Sequence, residues 1–127
     1  MRTFKTIAVS GYFDPLHIGH IDYLKNAKML GDKLIVILNN DHQRRSRTKV
    51  EDRKLILESV RYVDEVFISV DQDQSVCDSL VCVTPDIFAK GTVPTESEIK
   101  TCRENGIDVV TNVGKQLYVQ DILSEFR

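Results

Sequence analysis

Five short apolar runs, separated by stretches of helical period, constrain this chain more than any other feature. They are Thr6-Ile7-Ala8-Val9, Leu34-Ile35-Val36-Ile37-Leu38, Glu65-Val66-Phe67-Ile68-Ser69, Asp86-Ile87-Phe88-Ala89 and Asp108-Val109-Val110-Thr111. β-Branched and aromatic side chains favour strands, and a strand that is apolar on both faces has no side to give to water. Such strands belong inside a parallel sheet covered by helices. The alternation predicts an α/β chain with a single doubly wound, Rossmann-like parallel sheet of about five strands and helices on both faces. No repeat, low-complexity stretch or linker divides residues 1–127, which are read as one domain. A chain of that length buries roughly two-thirds of its unfolded surface.

The first helix is predicted from Ile18 to Leu30, with Ile21, Leu24, Ala27 and Leu30 as its sheet-facing stripe and Gly31-Asp32 as its stop. On the same wheel His20 and an extrapolated His17 fall within the stripe, so both imidazoles overhang the sheet's edge. A second helix, Glu51 to Val60, is expected to turn Ile56, Leu57 and Val60 inward, with Arg53 on that line at its N-terminal end. Asn105-Gly106 reads as the stop of a later helix. Cys77 and Cys82 lie in an amphipathic stretch where small buried thiols are the default, and Tyr118 and Phe126 read as core or interface side chains.

A hydrophobic content of 42% and a charged content of 28% are those of an ordinary globular protein. The formal net charge of -2 supports neither a nucleic-acid coat nor a membrane surface, so any basic site must be local. Three cysteines without C-x-x-C spacing indicate no disulfide framework and no structural zinc. With no signal-like N-terminus and no long apolar run, a cytoplasmic location is expected.

Between the first strand and the first helix stands Gly11-Tyr12-Phe13-Asp14-Pro15-Leu16-His17-Ile18-Gly19-His20. A helix start offers backbone N–H groups and a positive dipole end, and Gly11 and Gly19 would let an anion approach the backbone. Imidazole N–H groups can donate to phosphate oxygens. The alternatives are that the histidines merely cap the helix, or that they ligate a metal; His42, the remaining histidine, is poorly placed to complete a zinc site.

This segment resembles the G-x-F-D-x-x-H-x-G-H signature of the cytidylyltransferase-like nucleotidyltransferases. The stretch from Glu51 to Val66 is similar to the matching helix and strand of glycerol-3-phosphate cytidylyltransferases and heptose-phosphate adenylyltransferases, and Asp86 to Gly91 extends the likeness. The resemblance implies that a substrate phosphate attacks the α-phosphorus of CTP or ATP in line and releases pyrophosphate, with Mg²⁺ bound mainly through the triphosphate. It implies His17 and His20 as the catalytic phosphate-binding pair and Arg53 as a phosphate-binding arginine. Gly11, Tyr12, Phe13, Asp14 and Gly19 would line the nucleotide, Asp14 as a loop former rather than a base, with Lys90 and Gly91 beside them. A homodimer is expected on the same ground.

Histidines alone fall short of the task. Enzymatic accelerations begin near 10⁶-fold, about 8 kcal/mol, while one preorganised donor contributes roughly 3–4 kcal/mol. The basic loop Asp41-His42-Gln43-Arg44-Arg45-Ser46-Arg47-Thr48-Lys49 follows the second strand at the same sheet edge. The resemblance implies a phosphate-binding lysine here, with Lys49 the first choice and one of the arginines the next. The C-terminal third departs from the family pattern: no hydroxyl pair stands at the last helix start, and Gly114 and Lys115 are left to grip the nucleotide phosphates.

The expected function is therefore CMP transfer from CTP to a phosphorylated small alcohol resembling glycerol 3-phosphate. Adenylyl transfer from ATP to a sugar phosphate is the alternative within the enzyme class, and a catalytically impaired nucleotide sensor the alternative outside it. A redox or response-regulator-like α/β protein would not call for the histidine pair.

Overall fold

The computed structural model describes residues 4–114, so that Lys115, Tyr118 and Phe126 lie outside the described residues. Strands β1 (Thr6–Gly11), β2 (Lys33–Leu38), β3 (Glu65–Ile68), β4 (Ile87–Ala89) and β5 (Asp108–Val110) alternate with helices α1 (Ile18–Lys28), α2 (Val50–Glu58), α3 (Cys77–Val83) and α4 (Glu96–Glu104). The five strands form one parallel sheet in the order β3-β2-β1-β4-β5. β1 and β2 run in register from Thr6 opposite Lys33 to Gly11 opposite Leu38, which places the ends of both strands level at one edge.

Alternation along the strands divides the core in two. On one face Ile7 and Val9 of β1 and Leu34, Val36 and Leu38 of β2 pack with Leu24 and Ala27 of α1 and Val50 and Leu57 of α2. On the other, Ala8, Ile37 and Phe88 meet Leu80 of α3 and Cys102 of α4. The chain builds outward from β1 to β3 and then returns to lay β4 on the opposite side of β1. In open α/β sheets ligands bind beyond the C-terminal strand ends at such a reversal. Here that crevice lies between the segment after Gly11 and the segment after Ala89.

Some expectations are corrected. α1 stops at Lys28, leaving Leu30 in the following turn and 37% exposed. Gly31 does not take the left-handed conformation of a helix stop. Its requirement is close approach, since a Cβ there would lie 2.0 Å from Ile7 Cδ1. Asn105-Gly106 does end its helix as expected: Gly106 is left-handed, and the Ile107 N–H returns to the Cys102 carbonyl at 2.8 Å. In α2 the inward line is Arg53 and Leu57, four residues apart, which turns Ile56 about 100° away and leaves it 46% exposed. In α3 the inward positions are Ser79 and Leu80, so Cys82 faces solvent. Ser79 is buried because its hydroxyl and N–H are both held by Asp71.

Candidate active site

β1 ends at Gly11, and the next six residues turn the chain so that α1 can start at Ile18. Phe13 takes a left-handed backbone (φ 50°), which costs of order 1–2 kcal/mol and must be held by packing. Its buried ring supplies that hold. A Cβ on Gly11 would meet the ring at 3.0 Å, so the space beside Gly11 accommodates Phe13 rather than an anion. The same ring meets His20 edge-on, with centroids 4.9 Å apart.

The two imidazoles stack at 3.7 Å between centroids. His17 is the N-cap of α1, and its Nδ1 accepts the Gly19 N–H at 3.0 Å. His20 Nδ1 accepts the His17 N–H at 3.2 Å. A neutral imidazole carries one proton, and where Nδ1 accepts, that proton belongs on Nε2. Among the described residues no acceptor takes either Nε2–H. Capping and phosphate binding are therefore not alternatives, because each uses a different nitrogen of the same ring. The Gly19 N–H, expected to face an anion, is occupied by the cap.

Burial, and then the neighbouring His17, depress the His20 pKa to about 4. The ring is thus a neutral donor at physiological pH. The unfolded chain takes up this proton near pH 6.5, before the folded one does. The stability linked to His20 is accordingly full above pH 6.5, falls between pH 6.5 and about 4, and levels off below. Nitrogen-detected NMR should find His20 with Nδ1 unprotonated and an apparent pKa near 4. A midpoint near 6.5, or a proton on Nδ1, would overturn this account of the cap.

The basic loop is fastened from several sides. The Asp14 carboxylate accepts the backbone N–H groups of Arg47 at 2.5 Å and Thr48 at 3.2 Å, which ties it to the histidine segment. Asp41 accepts the Val50 N–H at the start of α2. Burial works to raise the Asp41 pKa, but the Val50 N–H and Arg53 outweigh it and hold the carboxyl below its usual range. Asn40 accepts the His42 and Gln43 N–H groups through Oδ1, and its Nδ2 donates to the Ser69 and Asp71 carbonyls. Gln43, 4% exposed, donates to the Asp73 and Ser75 carbonyls. Asn40 and Gln43 were not singled out from the sequence. Asn-Asn-Asp directly after a strand is a turn signal that could have marked Asn40.

Arg53 is 1% exposed. Its Nε donates to the Thr48 carbonyl at 2.9 Å, Nη1 to the carbonyls of Tyr12 and Asn39 at 2.8 and 2.9 Å, and Nη2 to Asp41 Oδ1 at 2.6 Å. Four of five N–H donors are engaged. The guanidinium fastens the histidine segment, the end of β2 and the basic loop to one another, an arrangement that does not fit the phosphate contact expected of it. Lys49 stands exposed at the N-cap of α2 without a side-chain capping bond.

At the other side of the crevice, Lys90 extends from the end of β4 and donates to Ser10 Oγ at 3.3 Å. Burial lowers its pKa, and the charge of Glu98 opposes that shift. Glu98 itself is buried, accepting the Val76 and Thr95 N–H groups. Gly91 packs near the Val113 carbonyl. Gly114 is left-handed (φ 85°) and approaches α1 so closely that a Cβ would lie 3.2 Å from Tyr23 Cα and 3.1 Å from Asp22 Oδ2.

Tyr12, Phe13, Asp14, Pro15, His17, His20 and Arg44 line a cleft of about 300 Å³. The cleft thus brings together the histidine pair and one arginine of the loop; Lys49, Arg53, Lys90, Gly91 and Gly114 are not among its lining residues. Among the described residues no group of three His, Cys, Asp or Glu side chains could hold a metal ion, and Asp14 already serves the loop amides. The described residues therefore offer Mg²⁺ no cage, although that cation commonly relies on substrate phosphates and few protein carboxylates. No described helix is long and apolar enough to cross a membrane.

A cytidylyltransferase-like family model matches residues 8–124. The chain is 42% identical over 91 residues to an FAD synthase of Pyrococcus abyssi, covering 67% of this chain and 61% of that protein. It is 40% identical over 92 residues to a glycerol-3-phosphate cytidylyltransferase of Bacillus subtilis, covering 68% of this chain and 70% of that one. The match therefore spans about three-fifths of the FAD synthase's own length. Among solved structures, a lipopolysaccharide core biosynthesis protein from Thermoplasma volcanium superposes with a TM-score of 0.72 at 26% identity, covering 86% of this chain and 94% of that one. With the sheet order, the histidine-capped first helix and these similarities together, the chain belongs to the cytidylyltransferase-like family.

Proposed function

We propose that this chain transfers a nucleotidyl group from a nucleoside triphosphate to a phosphorylated small molecule. An oxygen of the acceptor phosphate bonds to the α-phosphorus, the bond from that phosphorus to the β-phosphate oxygen breaks, and pyrophosphate leaves with the electron pair. No proton need be removed from an ionised phosphate, which is why a cleft without a free carboxylate base suffices. The observation that carries the reading is the stacked pair whose Nδ1 atoms are spent on the helix start, leaving two Nε2–H donors for phosphate oxygens. Donors fixed before substrate arrives need no reorganisation when charge shifts in the transition state. Mg²⁺, held mainly by the triphosphate itself, would supply charge neutralisation there.

Cytidylyl transfer to a glycerol-phosphate-like alcohol is supported by the identity to the Bacillus subtilis enzyme. Identity to FAD synthases, whose product contains an adenylyl group, favours a second reading, adenylyl transfer from ATP. Pyrophosphate release should be measured with CTP, ATP, GTP and UTP in the presence of Mg²⁺, against phosphorylated polyols, amino alcohols, sugars and FMN. Release is expected only when triphosphate and one acceptor class are both present. Triphosphate binding without release across that panel would instead identify a nucleotide sensor.

A further inference from the structure

Of Arg44, Arg45, Arg47, Lys49 and Arg53, Arg44 alone lines the cleft that holds the histidine pair. Its guanidinium carbon stands 3.7 Å from the centroid of the Tyr12 ring. The Tyr12 hydroxyl donates to Gln74 Oε1 at 2.9 Å, and Gln74 Nε2 donates to the carbonyl of Gln43, the residue next to Arg44. One amide thus holds both the ring under the guanidinium and the backbone from which that side chain springs. Gln43 is itself anchored by the Asp73 and Ser75 carbonyls. Among the described residues no carboxylate pairs with Arg44. A surface arginine normally loses much rotamer freedom when it grips an anion. Here that freedom is already restricted, while the guanidinium edge stays open to the cleft's contents.

We infer that Arg44 is the cation of the basic loop that grips phosphate oxygens beside His17 and His20, and that Gln74 positions it through Tyr12 and Gln43. This rests on the nucleotidyl-transfer reading and sharpens it, moving the loop's phosphate contact from Lys49 to Arg44. A planar guanidinium can hold two oxygens of one phosphate at once, and a lysine cannot replace that geometry. The oxygens could come from the triphosphate or from the acceptor's phosphate monoester.

The test is calorimetric binding of inorganic tripolyphosphate and, separately, of glycerol 3-phosphate to the intact chain. Arg44→Ala should weaken one of these probes at least about tenfold, and the probe affected identifies the source of the oxygens. Arg45→Ala removes the same charge from the neighbouring position and should cost less than about threefold, which separates contact from long-range attraction. Arg44→Lys should recover less than half of the loss on a logarithmic scale. Gln74→Ala should weaken the same probe about threefold in the parent and have no further effect in the Arg44→Ala background, a coupling that a merely structural role would not produce. Equal losses for Arg44→Ala and Arg45→Ala would overturn the assignment of Arg44, and an undiminished Gln74 effect in the double variant would overturn its positioning. If the parent bound neither probe, the nucleotidyl-transfer reading would itself fall.

Discussion

His17→Asn and His20→Gln are expected to fold with nearly parental stability and yet to turn over about 10²–10³-fold more slowly, the usual loss when one preorganised donor is removed. The two substitutions are chosen because each keeps the capping function of the ring it replaces. Asparagine is among the best N-cap residues, and its Oδ1 takes the place of His17 Nδ1 in accepting the Gly19 N–H. Glutamine at the third helical position reaches back to the N-cap N–H, the contact His20 Nδ1 makes with His17. Alanine at either position should cost an additional ~1 kcal/mol of stability through the lost cap. If the histidines served only to start α1, the Asn and Gln variants would recover activity along with stability. The measurement is kcat and kcat/KM for pyrophosphate release beside thermal unfolding of each variant. The double variant should lose less than the product of the single losses, because the rings stack and each orients the other.

The sheet was legible because its information is local. Each strand announces itself in a run of four or five residues with a β-branched or aromatic apolar centre, and parallel pairing follows from that centre being apolar on both faces. The pairing of the two imidazoles was legible for a similar reason, since His17 and His20 lie within one helical turn. What escaped was whatever depends on distant backbone. Arg53 was correctly placed on the inward line of α2, but the acceptors that engage it come from Tyr12, Asn39, Asp41 and Thr48. Nothing in the spacing of those residues shows that three carbonyls converge. Asn40, Gln43 and Gln74 present the same difficulty, because polar side chains in a loop read as solvated until the neighbouring loop is brought against them. Gly31 has the position of a helix stop, whereas its actual constraint is set by Ile7 on the adjacent strand.

Arg53→Met should be the most destabilising single change in the site, by about 3–5 kcal/mol, because it leaves buried carbonyls without their donor. Methionine keeps most of the volume of the aliphatic stem, so the loss reports on the guanidinium and not on a cavity. Three carbonyls lose their donor, each at a cost of roughly 1–3 kcal/mol if water cannot reach it. Asp41 is better placed, since its side chain is 40% exposed and can recover solvent. Against a typical total stability of 5–15 kcal/mol, such a loss should lower the unfolding midpoint by about 10–20 °C. Arg53→Lys should restore only a small part, because one ammonium cannot meet four acceptors spread around a planar fork. The pH dependence has a definite sign. Asp41 is held below its usual pKa, so the stability it contributes with Arg53 is present above the unfolded value near 4 and is lost as the pH falls through the folded one. Arg53→Met should remove the part of that acid-side dependence that Arg53 supplies, the Val50 N–H retaining the rest, as well as the neutral-pH stability. Near-parental unfolding temperature in Arg53→Met, with triphosphate affinity abolished, would instead return Arg53 to the role of a phosphate ligand.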